Sequence, residues 1–382
     1  MLKNMNFEIN REVFLHYLLQ IQKILPQKTF FPIYHSLKLE VQQNILFLEA
    51  SNMNVSVRIK IEDHSLQVKQ KGSILILGKY LIDIMKKINY NTVYFASMEN
   101  KFLVIKTDYS EYKLKTIDLD NFPLNNFSFN SLNYFEIESI LFKKIIKEIN
   151  ITVSKDKNKM ILTGVNFNYC DNFLVVSATD SFHFSQKKIK LNLNYSDFNV
   201  VIPNKSLEEL LKLLEQQKEG KLRIFIDESK FFLCNDYLFF QTSLLEGHYP
   251  LLPLIEKNNF PYFLKINKDN FLKTLERVSL FLPKESYLTN NQIYLHILKE
   301  NKIQITSCSE EIGKALEELF LLEQFIDKEI IASFNVKYLE EILKVFSVKE
   351  IKIFYQNSFK PFLIISEEEP NLLYLIIPFV VN

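Results

Sequence analysis

Apolar residues recur along this chain with two periods. Where every second residue is apolar the pattern predicts a strand; where apolar residues fall at i, i+3, i+4 and i+7 it predicts an amphipathic helix. The clearest helical stretch begins at Pro203, where Leu207, Leu210, Leu211 and Leu214 form one apolar stripe. The same template fits twice more, with Leu81, Ile84, Met85 and Ile88, and with Leu339, Ile342, Leu343 and Phe346. Each copy carries two lysines about two turns apart and in register with its stripe. They are Lys79 and Lys86, Lys205 and Lys212, and Lys337 and Lys344. One helix with surface lysines is ordinary. Three with identical offsets indicate one task performed three times.

The strand-like runs around these helices repeat too. Residues 7–25 predict a strand entering a helix, followed by strands in 37–61, the Lys79 helix, and strands at Thr92–Ala96, Phe102–Thr107 and Glu111–Ile117. A second unit starts at Tyr134. Its first helix carries Phe142, Ile145, Ile146 and Ile149, and strands follow at Gly164–Tyr169 and Phe173–Ala178 before the Lys205 helix. A third starts at Tyr262. Phe271, Leu275, Val278 and Leu282 make its first stripe, and strands at Ile293–Leu298 and Lys302–Thr306 precede the Lys337 helix. Short polar links between strands imply antiparallel sheets, with helices on one face, an α+β fold. The expected domains are 1–128, 129–257 and 258–382, with linkers at Asn125–Asn133 and Glu256–Phe260.

Composition narrows the function. The 382 residues are 47% hydrophobic and 24% charged, which is globular rather than disordered. The net charge of +1 argues against a tight, purely electrostatic polyanion binder, although a local basic lining remains compatible with it. Cys170, Cys234 and Cys308 lie far apart and form no CxxC pair, which fits a reduced, cytoplasmic protein without structural disulfides. The N-terminus has no signal-peptide core. The longest apolar run, Leu372–Val381, is broken by Pro378 and too short to span a bilayer, so it reads as a buried terminal strand.

Recognisable catalytic chemistry is missing. The glycines form no phosphate loop, and the histidines make no metal-ligand spacing with the cysteines. Asp118 and Asp120 precede Asn121-Phe122-Pro123 and read as turn acids. Ser177, Thr179, Asp180 and His183 lie together but without the glycine-flanked serine of a nucleophile elbow. The expectation is a protein with no cofactor, no metal and no covalent chemistry.

The chain resembles the bacterial DNA polymerase sliding clamps over essentially its full length. The resemblance rests on Phe31-Pro32-Ile33, Leu162-Thr163-Gly164-Val165-Asn166-Phe167, Ala178-Thr179-Asp180 and Val201-Ile202-Pro203-Asn204-Lys205. It continues through Glu246-Gly247-His248-Tyr249-Pro250, Phe334-Asn335-Val336-Lys337-Tyr338-Leu339 and Leu375-Ile376-Ile377-Pro378-Phe379. It implies the DNA clamp fold: three clamp domains per chain, sheets outside, helices lining the channel of a ring closed by two chains. It further implies a processivity factor set on DNA by a clamp loader. The paired lysines, with Lys28, would then face double-stranded DNA without regard to sequence. The DNA polymerase and the loader would bind one pocket through short peptides. Carried over by position, its lining is Leu162, Thr179, Ser181, Phe182, His183, Phe184, Pro250, Ile255, Leu375, Ile377, Pro378 and Phe379. The homodimer joint would involve Tyr112 and Leu114 with Leu280 and Phe281 on the third domain's first helix.

Two departures stand out. The family's usual Thr-Asp-Gly-His-Arg-Leu is Thr179-Asp180-Ser181-Phe182-His183-Phe184, and Val380 stands where a basic residue is usual. A tighter, more aromatic pocket is expected. Lys159, Met160 and Ile161 occupy the position of the family's DNA-touching aromatics. Two other classes compete: a nucleic-acid-processing enzyme on an α+β repeat, which lacks a metal or nucleophile cluster, and a protein-binding repeat scaffold, against which the lysine register argues.

Overall fold

A computed structural model describes residues 5–99, 101–123, 127, 134–193, 195–215, 219–250, 255, 257–283 and 291–380. The linker expected at Asn125–Asn133 lies outside this set except for Phe127, as do Glu256 and Val381.

The first repeat runs β1 (Asn6–Asn10), α1 (Arg11–Gln22), β2 (Ser36–Gln42), β3 (Ile45–Ser51), β4 (Val55–Ile61), β5 (Gln67–Gln70), β6 (Gly72–Leu77), α2 (Gly78–Lys87), β7 (Thr92–Met98), β8 (Phe102–Lys106) and β9 (Glu111–Ile117). The second runs β10 (Phe135–Glu138), α3 (Ser139–Ile149), β11 (Gly164–Cys170), β12 (Phe173–Thr179), β13 (His183–Lys190), β14 (Phe198–Pro203), α4 (Asn204–Leu214), β15 (Lys221–Ile226), β16 (Lys230–Cys234) and β17 (Leu238–Ser243). The third runs β18 (Tyr262–Asn267), α5 (Lys268–Val278), β19 (Gln292–Leu298), β20 (Lys302–Ser309), β21 (Gly313–Phe320), β22 (Glu323–Phe325), β23 (Ile330–Asn335), α6 (Val336–Val345), β24 (Glu350–Tyr355), β25 (Phe362–Ile365) and β26 (Leu372–Ile376).

At three of the strand–helix junctions an asparagine ends the strand in an extended conformation and accepts the first free helix N–H groups. Asn10 caps α1 and Asn267 caps α5 in this way, and Asn335 does the same for α6. Alternation then buries one face of each strand, as in β4, where Val55, Val57, Ile59 and Ile61 point inward. Phe7, Phe14 and Phe95 fill the core of the first repeat, with Phe7 and Phe95 stacked at 4.8 Å.

The chain folds into two compact units, and the division runs through the second repeat. One unit comprises residues 1–143, 193–195 and 205–244; the other comprises 144–192, 196–204 and 245–382. In the first, one sheet runs β10-β15-β16-β17-β4-β3-β2-β6-β9-β8-β7-β1-β5. In the second, one sheet runs β14-β11-β12-β13-β26-β25-β24-β18-β22, and a smaller one runs β21-β20-β19-β23. Strands of different repeats therefore pair directly, β17 with β4 and β26 with β13, both antiparallel.

Several expectations need correction. In the lysine helices Ile84 and Leu211 are only half-buried. Ile82 and Leu213, each one turn from a buried neighbour, complete the apolar face instead. The third unit's first helix stops at Val278, where a 3-10 turn, Ser279–Phe281, begins. Leu280 and Phe281 therefore sit on that turn rather than on the helix, and Leu282, still buried, lies beyond it. The terminal apolar run is a strand only over Leu372–Ile376. Beyond it Phe379 makes a single bridge, its N–H donating to the Ser333 carbonyl at 2.8 Å, and Val380 is exposed.

Candidate functional site

The paired lysines occupy matching places. Lys79, Lys205 and Lys337 are each the second residue of their helix, and Lys86, Lys212 and Lys344 lie in the last turn. All are exposed. The two sets differ in what the helix gains. A cation in the last turn is stabilised by the carbonyl end of the helix dipole, whereas one in the first turn is disfavoured by about 0.3–1 kcal/mol. Helix stability thus accounts for the second set and runs against the first. Lys86 also donates to Gln22 (3.2 Å), and Lys344 lies 3.5 Å from Glu276. Lys79, Lys205 and Lys337 form no ion pair with a described residue. Lys28 is exposed in the loop between α1 and the 3-10 turn Pro32–His35.

A second cluster lies within the second unit. Asp180 opens the turn between β12 and β13. Its Oδ1 accepts the N–H groups of Phe182 (2.8 Å) and His183 (2.9 Å). Its Oδ2 accepts the Tyr338 hydroxyl at 3.0 Å. His183 Nδ1 lies 2.7 Å from Asp180 Oδ1. The ring stacks on Tyr338 with centroids 4.0 Å apart, and Nε2 sits 3.2 Å from the Ile151 carbonyl. Burial alone would raise the Asp180 pKa; the contact with His183 and the two backbone donors outweigh it and hold the carboxyl below its ordinary value. Burial and the Asp180 charge push Tyr338 well above the ordinary phenol range.

This arrangement forces the turn to display its tip. Ser181 has φ +84, and Phe182 is 55% exposed. The Thr179 N–H donates to the Tyr249 hydroxyl at 3.0 Å, which ties the segment before Pro250 to the turn; burial pushes the Tyr249 phenol up to about 12. Phe184 pairs with Leu375, and the Ile377 N–H donates to the Phe182 carbonyl at 2.9 Å. Lys159 Nζ reaches Ser181 Oγ at 3.2 Å. Leu162 is buried on a 3-10 turn, Met160–Thr163, leading into β11. Gly164 follows it because a Cβ there would lie 2.8 Å from the Ile202 carbonyl oxygen and 2.6 Å from Val201.

Of the residues proposed for the pocket, the structure thus brings together Thr179, Ser181, Phe182, His183, Phe184, Leu375 and Ile377. Phe182 and Ile377 are exposed, Thr179, His183, Phe184 and Pro378 buried, Leu375 and Phe379 half-buried. Pro250 is exposed beside the anchored Tyr249, and Ile255 is half-buried. Sequence reasoning missed Tyr338 and Tyr249 as the groups that fix the turn. The Asp-x-x-His spacing signals the turn itself, but nothing in the sequence points to a tyrosine far along the chain. Ser177 is fully buried on β12, while Asp180 and His183 face the turn and Tyr338. No group of three His, Cys, Asp or Glu suited to a metal occurs among the described residues.

At the proposed joint, Tyr112 is exposed and Leu114 half-buried on β9, while Leu280 is 61% exposed beside β20 and β21.

Repeats of this order, with sheets that run from one repeat into the next, define the DNA clamp fold. Models of the DNA polymerase III beta subunit match in series: the N-terminal domain over residues 5–126, the central domain over 136–251 and the C-terminal domain over 256–380. A beta sliding clamp of Staphylococcus epidermidis is 30% identical over 385 residues, covering 98% of this chain and 99% of its own. The solved DNA polymerase sliding clamp of Bacillus subtilis aligns over all of both chains with a TM-score of 0.91 at 26% identity. The beta subunit from the DNA polymerase of Streptococcus pyogenes gives 0.91 at 29%, over 98% of this chain and 100% of its own. The chain belongs to the DNA polymerase III beta subunit family: it is a DNA sliding clamp, a processivity subunit with no catalytic role of its own.

Proposed function

We propose that two copies of the chain close head to tail around duplex DNA through β9 of one protomer and β21 of the other. The observation that carries this is the register at the internal joints. Leu238 to Thr242 of β17 pair with Ile59 to Val55 of β4, and Leu372 to Ile376 of β26 pair with Lys187 to His183 of β13. Hairpin positions equate these strands across repeats, and the two joints then match residue for residue. The remaining counterparts are β9 and β21. Among the described residues β21 pairs with β20 alone, and β9 meets β6 only through Ile117 and Thr116, so both offer an open edge. With the same register, Leu114 would lie opposite Gly313, Lys113 opposite Lys314 and Tyr112 opposite Ala315 of a second protomer. Leu280 and Phe281 lie beside this edge. In a Cys170→Ser, Cys308→Ser background, which removes the Cys308 that pairs with position 314 inside the chain, Lys113→Cys with Lys314→Cys is expected to give a disulfide-linked dimer. A solution mass near 45.3 kDa, that of one chain, at micromolar concentration counts against the reading.

Lys28 and the lysine helices, chiefly through Lys79, Lys205 and Lys337, contact the phosphates of double-stranded DNA without reading sequence. Three cations kept where the helix dipole opposes them support this. Lys86, Lys212 and Lys344 contribute less, since helix stability already explains them. The turn Thr179–Phe184, with Leu162, Pro250, Ile255 and Leu375–Phe379, receives short peptides of the polymerase and the clamp loader; the exposed apolar Phe182 and Ile377 support that use. With Phe184 for leucine and His183 for arginine, it favours peptides with a different apolar anchor from the family's usual one. The domains 1–128, 129–257 and 258–382 and a cytoplasmic location accompany this reading. The test is retention after loading: the protein stays on closed circular duplex and leaves when the circle is cut. Equal retention on both forms favours ordinary DNA binding.

A further inference from the structure

Beside β9 a cavity of about 460 Å³ opens between β6 and the β8–β9 hairpin. Ile74, Phe102, Ile117 and Leu119 give it an apolar wall, and its charged lining residues are Lys101, Lys115 and Asp118, two cations to one anion. Both lysines are exposed, and neither forms an ion pair with a described residue. The cavity exists because β6 and β9, among the described residues, pair only at Leu75–Ile117 and Ile76–Thr116.

The β20–β21 turn differs from its counterparts. In the first repeat Met53 and Asn54 separate Asn52 from Val55, and in the second Ser181 and Phe182 separate Asp180 from His183. In the third, Glu310, Glu311 and Ile312 separate the paired Ser309 and Gly313. The longer turn closes on Gly313 at φ +120, a conformation that a side chain disfavours. Ile312 is 48% exposed and both glutamates are exposed. At the β13–β26 joint the tip residue Phe182 accepts the Ile377 N–H. The same register at Leu114–Gly313 places Lys115 opposite Ile312, with its N–H in the position of Ile377's.

We propose that the Glu310–Ile312 tip of one protomer seats in this cavity of a second copy. Ile312 covers the apolar wall, and the two glutamates face Lys101 and Lys115. The occupant is argued from charge complementarity and from continuity with the strand joint, and the inference rests on the head-to-tail pairing proposed above. It makes the subunit joint a plug as well as a strand pair, unlike the two-residue tips inside the chain.

The test measures the dimer dissociation constant by analytical ultracentrifugation. Glu310→Lys with Glu311→Lys weakens the dimer by about tenfold or more, and adding Lys101→Glu with Lys115→Glu restores it. In a Cys170→Ser, Cys308→Ser background, Lys115→Cys with Ile312→Cys forms an intermolecular disulfide. If Lys113→Cys and Lys314→Cys cross-link while the glutamate variant dimerises within about twofold of the parent, the strand pairing stands and the plug is refuted, leaving the cavity to another ligand. A four-site charge reversal no tighter than the double variant refutes the glutamate–lysine contact. A protein that stays monomeric throughout overturns pairing and plug together.

Discussion

Asp180 is the single residue on which the displayed turn depends most. Replacing it with alanine removes the acceptor of the Phe182 and His183 N–H groups and of the Tyr338 hydroxyl. Hydrogen bonds to a charged group contribute about 1.5–3 kcal/mol each. The Phe182 N–H can turn to water, so two bonds in protected surroundings set the scale, about 3–6 kcal/mol. In a unit of this size 1 kcal/mol moves the melting temperature by about 2–4 °C, so Asp180→Ala lowers it by about 6–24 °C. Asp180→Asn keeps the acceptor at Oδ1 for the two backbone N–H groups but loses the charge and, with an amide nitrogen in place of Oδ2, the acceptor of the Tyr338 hydroxyl, so its cost is smaller than that of alanine. The pH dependence follows from the sign of the shift. The folded carboxyl has a depressed pKa, so its stabilisation is complete above the unfolded value near ~3.9 and is lost as pH falls through the folded value. The gap in thermal unfolding between wild type and Asp180→Asn should narrow as pH falls from 7 to 3, with faster amide exchange over Thr179–Phe184 in the variant at pH 7. An alanine variant within about 2 °C of wild type, or a gap unchanged below about pH 4, refutes the reasoning.

Other substitutions test separate parts of the molecule. Gly164→Ala brings a methyl to 2.8 Å from the Ile202 carbonyl oxygen; a loss of about 2–3 kcal/mol in denaturant unfolding is expected, and a neutral result contradicts the close approach. Lys187→Met strips the buried Glu148 of its 2.5 Å partner and should cost about 3–5 kcal/mol. Arg277→Met breaks the pair with Glu317 at the corresponding position of the third repeat, which is far more exposed, and should cost less than about 1 kcal/mol. Lys79→Ser, Lys205→Ser and Lys337→Ser together should leave the melting temperature unchanged or slightly raised while making polymerase processivity more salt-sensitive; the matching change at Lys86, Lys212 and Lys344 should destabilise the helices instead. Phe184→Ala should weaken a titrated clamp-binding peptide; normal affinity in both wild type and variant contradicts the altered pocket.

Much of this molecule is legible in its sequence, for reasons that also mark where legibility ends. The helices carry apolar stripes, three of them opened by asparagine caps, and strands such as Val55–Ile61 alternate cleanly because one face is buried. β13, His183–Lys190, escapes detection because its charges are accommodated by tertiary partners: Lys187 is buried against Glu148, an arrangement no local pattern predicts. β21 escapes for another reason. Its Lys-Ala-Leu-Glu-Glu-Leu segment favours helix locally, yet pairing with β20 makes it a strand. The turn at Asp180 is visible as spacing, whereas its dependence on Tyr338 and Tyr249 is a matter of contact across distant sequence. The lysine register is the opposite case: its three copies are plain in the sequence, and the structure adds that the first lysine of each sits against the helix dipole.

The pairing of β17 with β4 and of β26 with β13 has a consequence for how the chain comes apart. Its repeats are units of sequence, but its sheets are the units of cooperativity. Strands β15 to β17 share a sheet with the first repeat, and β11 to β14 share one with the third. The central repeat therefore has no sheet of its own to lose, and a fragment cut at the repeat limits would expose two raw edges. Unfolding should proceed in two steps, with the amides of the central repeat dividing between them.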